Sequence, residues 1–266
     1  VNRTVTVLAL LVAAMAVFIV REARRVPPAA TTPASAADTV PVDTAGDASL
    51  GAPTTGLVSV RTSTLPAPIR DLAEIQRILA AGEAGTYIRE IFLQRDDNNA
   101  RWPDRRFDPL RVWIQPTSDL PDFDPSYPEL ARQAFERWTR EDVPMAFTFV
   151  RDSAASDIPV TWVDRFDMPI SGRTRWTHDQ HWWIVASSIE IALHHQSGTP
   201  LDARAIHAIT LHEVGHVLGL DHTQDDRSIM AARVRVSDLA DIDARTVRLV
   251  YRLPPGPSGR EGGERE

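Results

Sequence analysis

Apolar residues run almost unbroken from Thr4 to Val20, and Arg21, Glu22, Arg24 and Arg25 then end the run. A helix of about 17 residues spans roughly 25 Å, a little short of a ~30 Å hydrocarbon core and a little long for the apolar part of a secretory signal. Residues 1–25 therefore read as an N-terminal membrane anchor or signal segment, with an uncleaved anchor favoured. Arg on both flanks leaves the orientation open. From 26 to 68 the chain turns to Pro, Ala, Thr, Ser, Asp and Gly with few large apolar side chains. Such a stretch buries too little surface to offset its ordering entropy and is expected to be a disordered linker.

Helical spacing returns in 69–100: Ile69, Leu72, Ile75, Ile78 and Leu79, a break at Gly82 to Gly85, then Tyr87, Ile88, Ile91 and Phe92. This predicts two short helices joined by a turn, with Asp96-Asp97-Asn98-Asn99 as a loop. Leu110 to Ile114 alternates as a strand does. Tyr127 to Arg140 carries a helix face of Leu130, Ala134, Phe135 and Trp138, with Ser126 as expected N-cap and Pro128 in the first turn. Phe147–Val150, Ile158–Val163, Arg173–His178 and Trp183–Leu193 read as further strands. A long helix is expected from Asp202 to Leu218 and a last one from Asp238 to Tyr251. Residues 254–266, rich in Pro, Gly and charge, are expected to be a disordered tail. The order predicts an α+β domain over 101–253, one mixed sheet covered by helices.

Charge and composition narrow the function. The formal net charge of −7 argues against a nucleic-acid partner. All 29 basic residues are Arg, which reads as a coding bias. Cysteine is absent, which removes disulfides, thiolate metal sites and a Cys nucleophile and leaves His and carboxylates as metal ligands.

Those ligands are grouped in one place. Residues 212–222 read His-Glu-Val-Gly-His-Val-Leu-Gly-Leu-Asp-His. On a helix His212 and His216 lie one above the other, able to direct a ring nitrogen each at one ion. Glu213 lies beside them, able to take a proton from a zinc-activated water. Gly219 ends the helix and lets the chain return His222 to the same ion. Three imidazoles leave a fourth position open, the arrangement of a catalytic zinc site. The short His-Glu-x-x-His pattern arises by chance in about one chain in a hundred, the extended one in roughly one in 10⁵, so only the second carries weight.

The extended motif resembles that of the metzincin clan of zinc peptidases, and within it the matrixins. Met230, eight residues after His222 in Ser228-Ile229-Met230-Ala231, looks like the clan's Met-turn, and the final helix is similar to the matrixin C-terminal helix. The resemblance covers about Arg101 to Leu253. It implies a metzincin-like domain with a mostly parallel mixed sheet, an active-site helix, one catalytic Zn2+ on His212, His216 and His222, Met230 beneath the imidazoles, and hydrolysis of protein or peptide substrates with Glu213 as general base. With the N-terminal segment this places the expected enzyme outside the cytoplasm, membrane-anchored or secreted.

The chain also departs from that pattern. Where matrixins carry Pro-x-Tyr after the Met-turn, Ala231-Ala232-Arg233-Val234 stands, so substrate preference is not inherited. Without Cys there is no cysteine-switch latency. His178-Asp179-Gln180-His181 and His194-His195 only loosely echo the matrixin structural zinc site and read as strand-end and loop histidines. Asp96 and Asp97 read as a solvated turn in preference to a cap over the zinc. Trp183–Leu193 is the candidate edge strand for pairing with an extended substrate.

Overall fold

Alternating β-branched and aromatic residues build the centre of the sheet: in Ile158–Val163 (β4), Ile158, Val160 and Trp162 are buried. The computed structural model describes residues 62–259. The apolar run at Thr4 to Val20, most of the expected linker and the end of the tail lie outside the described residues. Among those described, no helix is long and apolar enough to cross a membrane.

Two short helices come first, Leu72–Gly82 (α1), capped by the Asp71 carboxylate, and Ile88–Gln94 (α2). Asn98–Asn99 (β1), Leu110–Ile114 (β2), Tyr127–Trp138 (α3), Phe147–Phe149 (β3) and β4 follow. Then come Gly172–His178 (β5), Ile184–Ala192 (β6), Ala203–Val217 (α4), Asp241–Arg252 (α5) and Gly256–Pro257 (β7). The five-stranded sheet has the order β3-β2-β4-β6-β5, with β5 antiparallel to β6 and the other neighbours parallel. Helices α3 and α4 pack on each other, and α4 lies against β5 and β6. Trp138, fully buried, donates from Nε1 to the Leu211 carbonyl at 2.8 Å and so locks α3 to α4.

Four expectations change. β5 forms one edge of the sheet, and β6, the expected edge, is an interior strand paired on both sides. Both strands alternate similarly, and only the topology decides which lies outside. Ser126 stands at the expected N-cap position but makes no side-chain cap, and the Tyr127 N–H donates instead to the Asp124 carbonyl at 3.0 Å. Asn98 and Asn99, expected in a loop, pair as β1 with β7, which lies in the expected tail. The described end of the expected linker also rests on the domain, since Trp183 Nε1 donates to the Pro66 carbonyl at 3.0 Å.

Candidate metal centre

Helix α4 is set by its ends. The Asp202 carboxylate accepts from the Ala205 N–H at 2.7 Å, satisfying one of the free donors of the first turn. At the other end Gly219 has φ +93°, the Gly219 N–H donates to the His216 carbonyl and the Leu220 N–H to the Gly215 carbonyl, both at 3.0 Å. That pair of bonds is a Schellman stop, and it turns the chain sharply after the second histidine. His212 and His216 therefore project from the last turns of a capped, buried helix, and His222 returns from the loop beyond it.

The three Nε2 atoms converge. They lie 3.0 Å apart for His212 and His216, 3.2 Å for His212 and His222, and 3.3 Å for His216 and His222. Tetrahedral ligands at a Zn–N distance of 2.0–2.1 Å would be about 3.3 Å apart. The far nitrogens of the two helical histidines are engaged elsewhere. His212 Nδ1 lies 2.6 Å from the Ile229 carbonyl and His216 Nδ1 lies 2.9 Å from the Leu220 carbonyl. Carbonyl partners require Nδ1–H donors, so the Nε2 lone pairs point at the common centre. Burial, followed by repulsion from the other two imidazoles, pushes the proton affinity of His212 well down. Burial also lowers that of His216, and it brings His222 to about 3. All three are thus neutral at physiological pH, the form that binds a metal. Among the described residues these are the group of three or more His, Cys, Asp or Glu whose ligating atoms share a 4.8 Å neighbourhood.

Glu213 is fully buried beside them, and burial raises its pKa to about 8 against the opposing pull of Thr174 and Arg173. A dication at the centre would favour its ionised form. Thr174, on the edge strand, donates from Oγ1 to Glu213 Oε2 at 2.6 Å, while Oε1 has no partner among the described residues. Gly172 makes this possible: a Cβ there would stand 2.4 Å from Oε1 and 2.7 Å from Ile209 Cγ2.

Met230 is fully buried against α4, where the Cβ that Gly215 lacks would stand 2.3 Å from its sulfur. Asp243 on α5 fastens this turn. Its carboxylate accepts from the Ser228 hydroxyl, from the Ile229 N–H at 3.1 Å and from the Ala240 N–H at 2.8 Å. Burial outweighs these donors and raises its pKa. The other histidines are placed apart from the centre. His178 stacks on Trp182 with ring centroids 4.1 Å apart, and His194 sits between Asp122 and Asp164. Asp96 and Asp97 form a left-handed turn after α2, with φ +47° and +67°.

A family model described as matrixin matches residues 116–252, more than half of the chain. The chain belongs to the matrixin family. The mixed sheet with its covering helices is accordingly a metzincin fold, and matrixins as a family are zinc metalloendopeptidases. Metalloendoproteinase 2-MMP of Arabidopsis thaliana is 26% identical over 180 residues, 60% of this chain and 45% of the plant protein. Metalloendoproteinase 1 of Glycine max is 26% identical over 160 residues, 52% of this chain and 50% of its own length. The chain spans about half the length of these curated relatives.

Gly172, Thr174, Gly215 and Asp243 belong to the site without being marked by the motif. A glycine inside a strand or a helix is a sign of close backbone approach, and it was available for Gly172 and Gly215. Nothing local marks Thr174, and the local place of Asp243 at the start of α5 does not reveal its reach to Ser228 and Ile229.

Proposed function

We propose that this matrixin is a zinc-dependent endopeptidase in which His212, His216 and His222 hold one Zn2+ and Glu213 is the general base. The observation that carries the reading is the convergence of three neutral imidazoles beside a buried carboxylate with one oxygen unpaired. Zinc bound there would supply a Lewis acid with an open coordination position. Glu213 takes a proton from the attacking water on Oε1 while Thr174 keeps Oε2 in place. The carboxyl then delivers that proton to the amine nitrogen as the peptide bond breaks. Met230 supports the site from below. The outer edge of β5, next to Thr174, is where an extended protein or peptide substrate would add as a further strand.

Glu213→Gln tests the role of the carboxylate. The variant is expected to keep stoichiometric zinc and to cleave an unfolded protein substrate about 10²- to 10⁴-fold more slowly. Equal cleavage by wild type and variant would remove Glu213 from the mechanism, and zinc-loaded wild type inert on a peptide library would remove the peptidase reading. The Thr4–Val20 run is the proposed membrane attachment, with the catalytic part outside the cytoplasm. In intact cells an added protease should then reach the domain, and protection until permeabilisation would refute that placement.

A further inference from the structure

His212 and His216 are held by the hydrogen bonds of their own helix, but His222 stands on a loop. Toward the C-terminal side the Thr223 N–H of that loop donates to the Met230 carbonyl at 3.0 Å, and Leu220 is tied back to α4 through the Gly215 carbonyl and His216 Nδ1. Further ties come from the far N-terminal side. Arg95 Nη2 donates to the Leu220 carbonyl at 3.4 Å, and its Nε lies 2.5 Å from the Asp221 carboxylate. Gln94 Nε2 donates to the carbonyl of His222 itself at 2.9 Å. Glu90 accepts from the Thr223 hydroxyl at 3.1 Å and from the Gln224 N–H at 2.8 Å. Five consecutive residues, Leu220 to Gln224, are thus each tied to α2 or the residue that ends it. The Ala100 carbonyl closes the other side of the turn, only 2.3 Å from where a Cβ on Gly219 would stand.

Arg95 is the centre of this contact. Its side chain is 5% exposed, so its charge is taken out of water and set against a single carboxylate. Its guanidinium also lies 4.9 Å from the ring centroid of Trp176 on the edge strand. One side chain therefore touches both the loop that carries His222 and the strand that faces the proposed substrate.

We propose that Arg95, with Glu90 and Gln94, is the positioning brace of His222, so that the α1–α2 segment is a working part of the metal site. This rests on His222 being a zinc ligand. Outer partners that orient a ligand typically set metal affinity by about 10- to 100-fold, and a brace on the backbone of a loop ligand acts in the same way, by removing conformations in which Nε2 misses the ion.

The test measures zinc release from the full chain into excess chelator, beside thermal unfolding of the metal-free protein. Arg95→Ala should release zinc at least about tenfold faster than wild type. Glu90→Gln combined with Gln94→Ala removes no buried charge, should fold normally, and should release zinc several-fold faster at an unchanged metal-free midpoint. Arg95→Lys should recover part of the loss through its charge toward Asp221. Arg89→Ala, on the same helix but paired with Glu83, should release zinc at the wild-type rate. Wild-type release from both Arg95→Ala and the double variant would overturn the brace, as would an active, zinc-loaded form of the protein that begins after Arg95. A His222→Ala variant that holds zinc as wild type does would instead overturn the ligand assignment beneath it, so the two failures are told apart.

Discussion

Gly215 lies inside α4 immediately before His216, a position where glycine costs about 1 kcal/mol relative to alanine. Gly215→Ala would regain that helical stability were there room for the methyl group. The structure gives none: the new Cβ would meet Met230 Sδ at 2.3 Å, Met230 Cε at 3.1 Å and Trp138 Cζ2 at 3.1 Å. Ordinary contact begins at 3.4 Å, so the sulfur has to retreat by 3.4 − 2.3, or 1.1 Å. Met230 is fully buried and its turn is tied toward the candidate ligands, through the Ile229 carbonyl to His212 Nδ1 and through the Met230 carbonyl to the N–H of Thr223, the residue after His222. Overpacking of this kind costs about 1–3 kcal/mol, which exceeds the helical gain and leaves a net loss of about 1 kcal/mol. In a domain of this size that lowers the unfolding midpoint by about 2–4 °C. Because the strain is passed to His212 and His222, zinc affinity should fall about tenfold. Calorimetry of the metal-free protein and chelator competition measure the two effects separately. Met230→Ala combined with Gly215→Ala should be less harmful than the sum of the single changes, since the smaller side chain makes the missing room. A Gly215→Ala protein stabilised by about 1 kcal/mol with unaltered zinc binding would refute the reasoning, for it would mean that Met230 moves aside freely.

Two further outcomes follow from other contacts. Gly172→Ala should leave zinc content unchanged while lowering turnover at least about tenfold, because its Cβ would displace Glu213 from Thr174; metal analysis beside a peptidase assay checks it, and full turnover would contradict it. His194 has Nε2 at 2.9 Å from Asp122 and Nδ1 at 2.9 Å from Asp164, and chiefly the bond to Asp122 raises its pKa above the ordinary value. A raised folded value means that its contribution to stability is complete below about pH 6.5 and is lost as pH climbs through that raised value. Urea midpoints of wild type should therefore decline across that window relative to His194→Asn, and a rise would be the wrong sign.

How much of this could be read from the chain depends on how local the cause is. The helix that carries His212 and His216 announces itself, since its periodicity, its Asp202 cap and its Gly219 stop all fall within one stretch. The strands β2, β4, β5 and β6 are equally visible as alternating runs. Which of β5 and β6 lies outside is not legible there, because the two alternate alike and the choice is made by the pairing of β6 with β4. Pairing across long sequence separations also explains β1 and β7, two-residue strands in stretches that lack any periodicity. Their order is imposed from outside: Asn99 Nδ2 donates to the Val250 carbonyl at 3.0 Å, and Arg101 Nε donates to the Leu253 carbonyl at 2.8 Å.

The same distinction runs through the site. The motif specifies donor atoms, and a helix with a glycine stop brings two of them together without help. The third candidate ligand and the proposed base need partners from elsewhere: α2 for the loop of His222, β5 for Glu213, and α5 through Asp243 for the turn that holds Met230. Each of these partners is a polar side chain whose loss leaves a hydrogen-bonding group of the site without its partner as well as a looser candidate ligand. Variants at such positions should therefore lower metal affinity more than the number of lost contacts suggests. Variants on the outer faces of the same elements, such as Arg89 or Arg77, should do almost nothing. The contrast between those two sets, read on helices α1 and α2 alone, separates an N-terminal segment that builds the site from one that merely covers the domain.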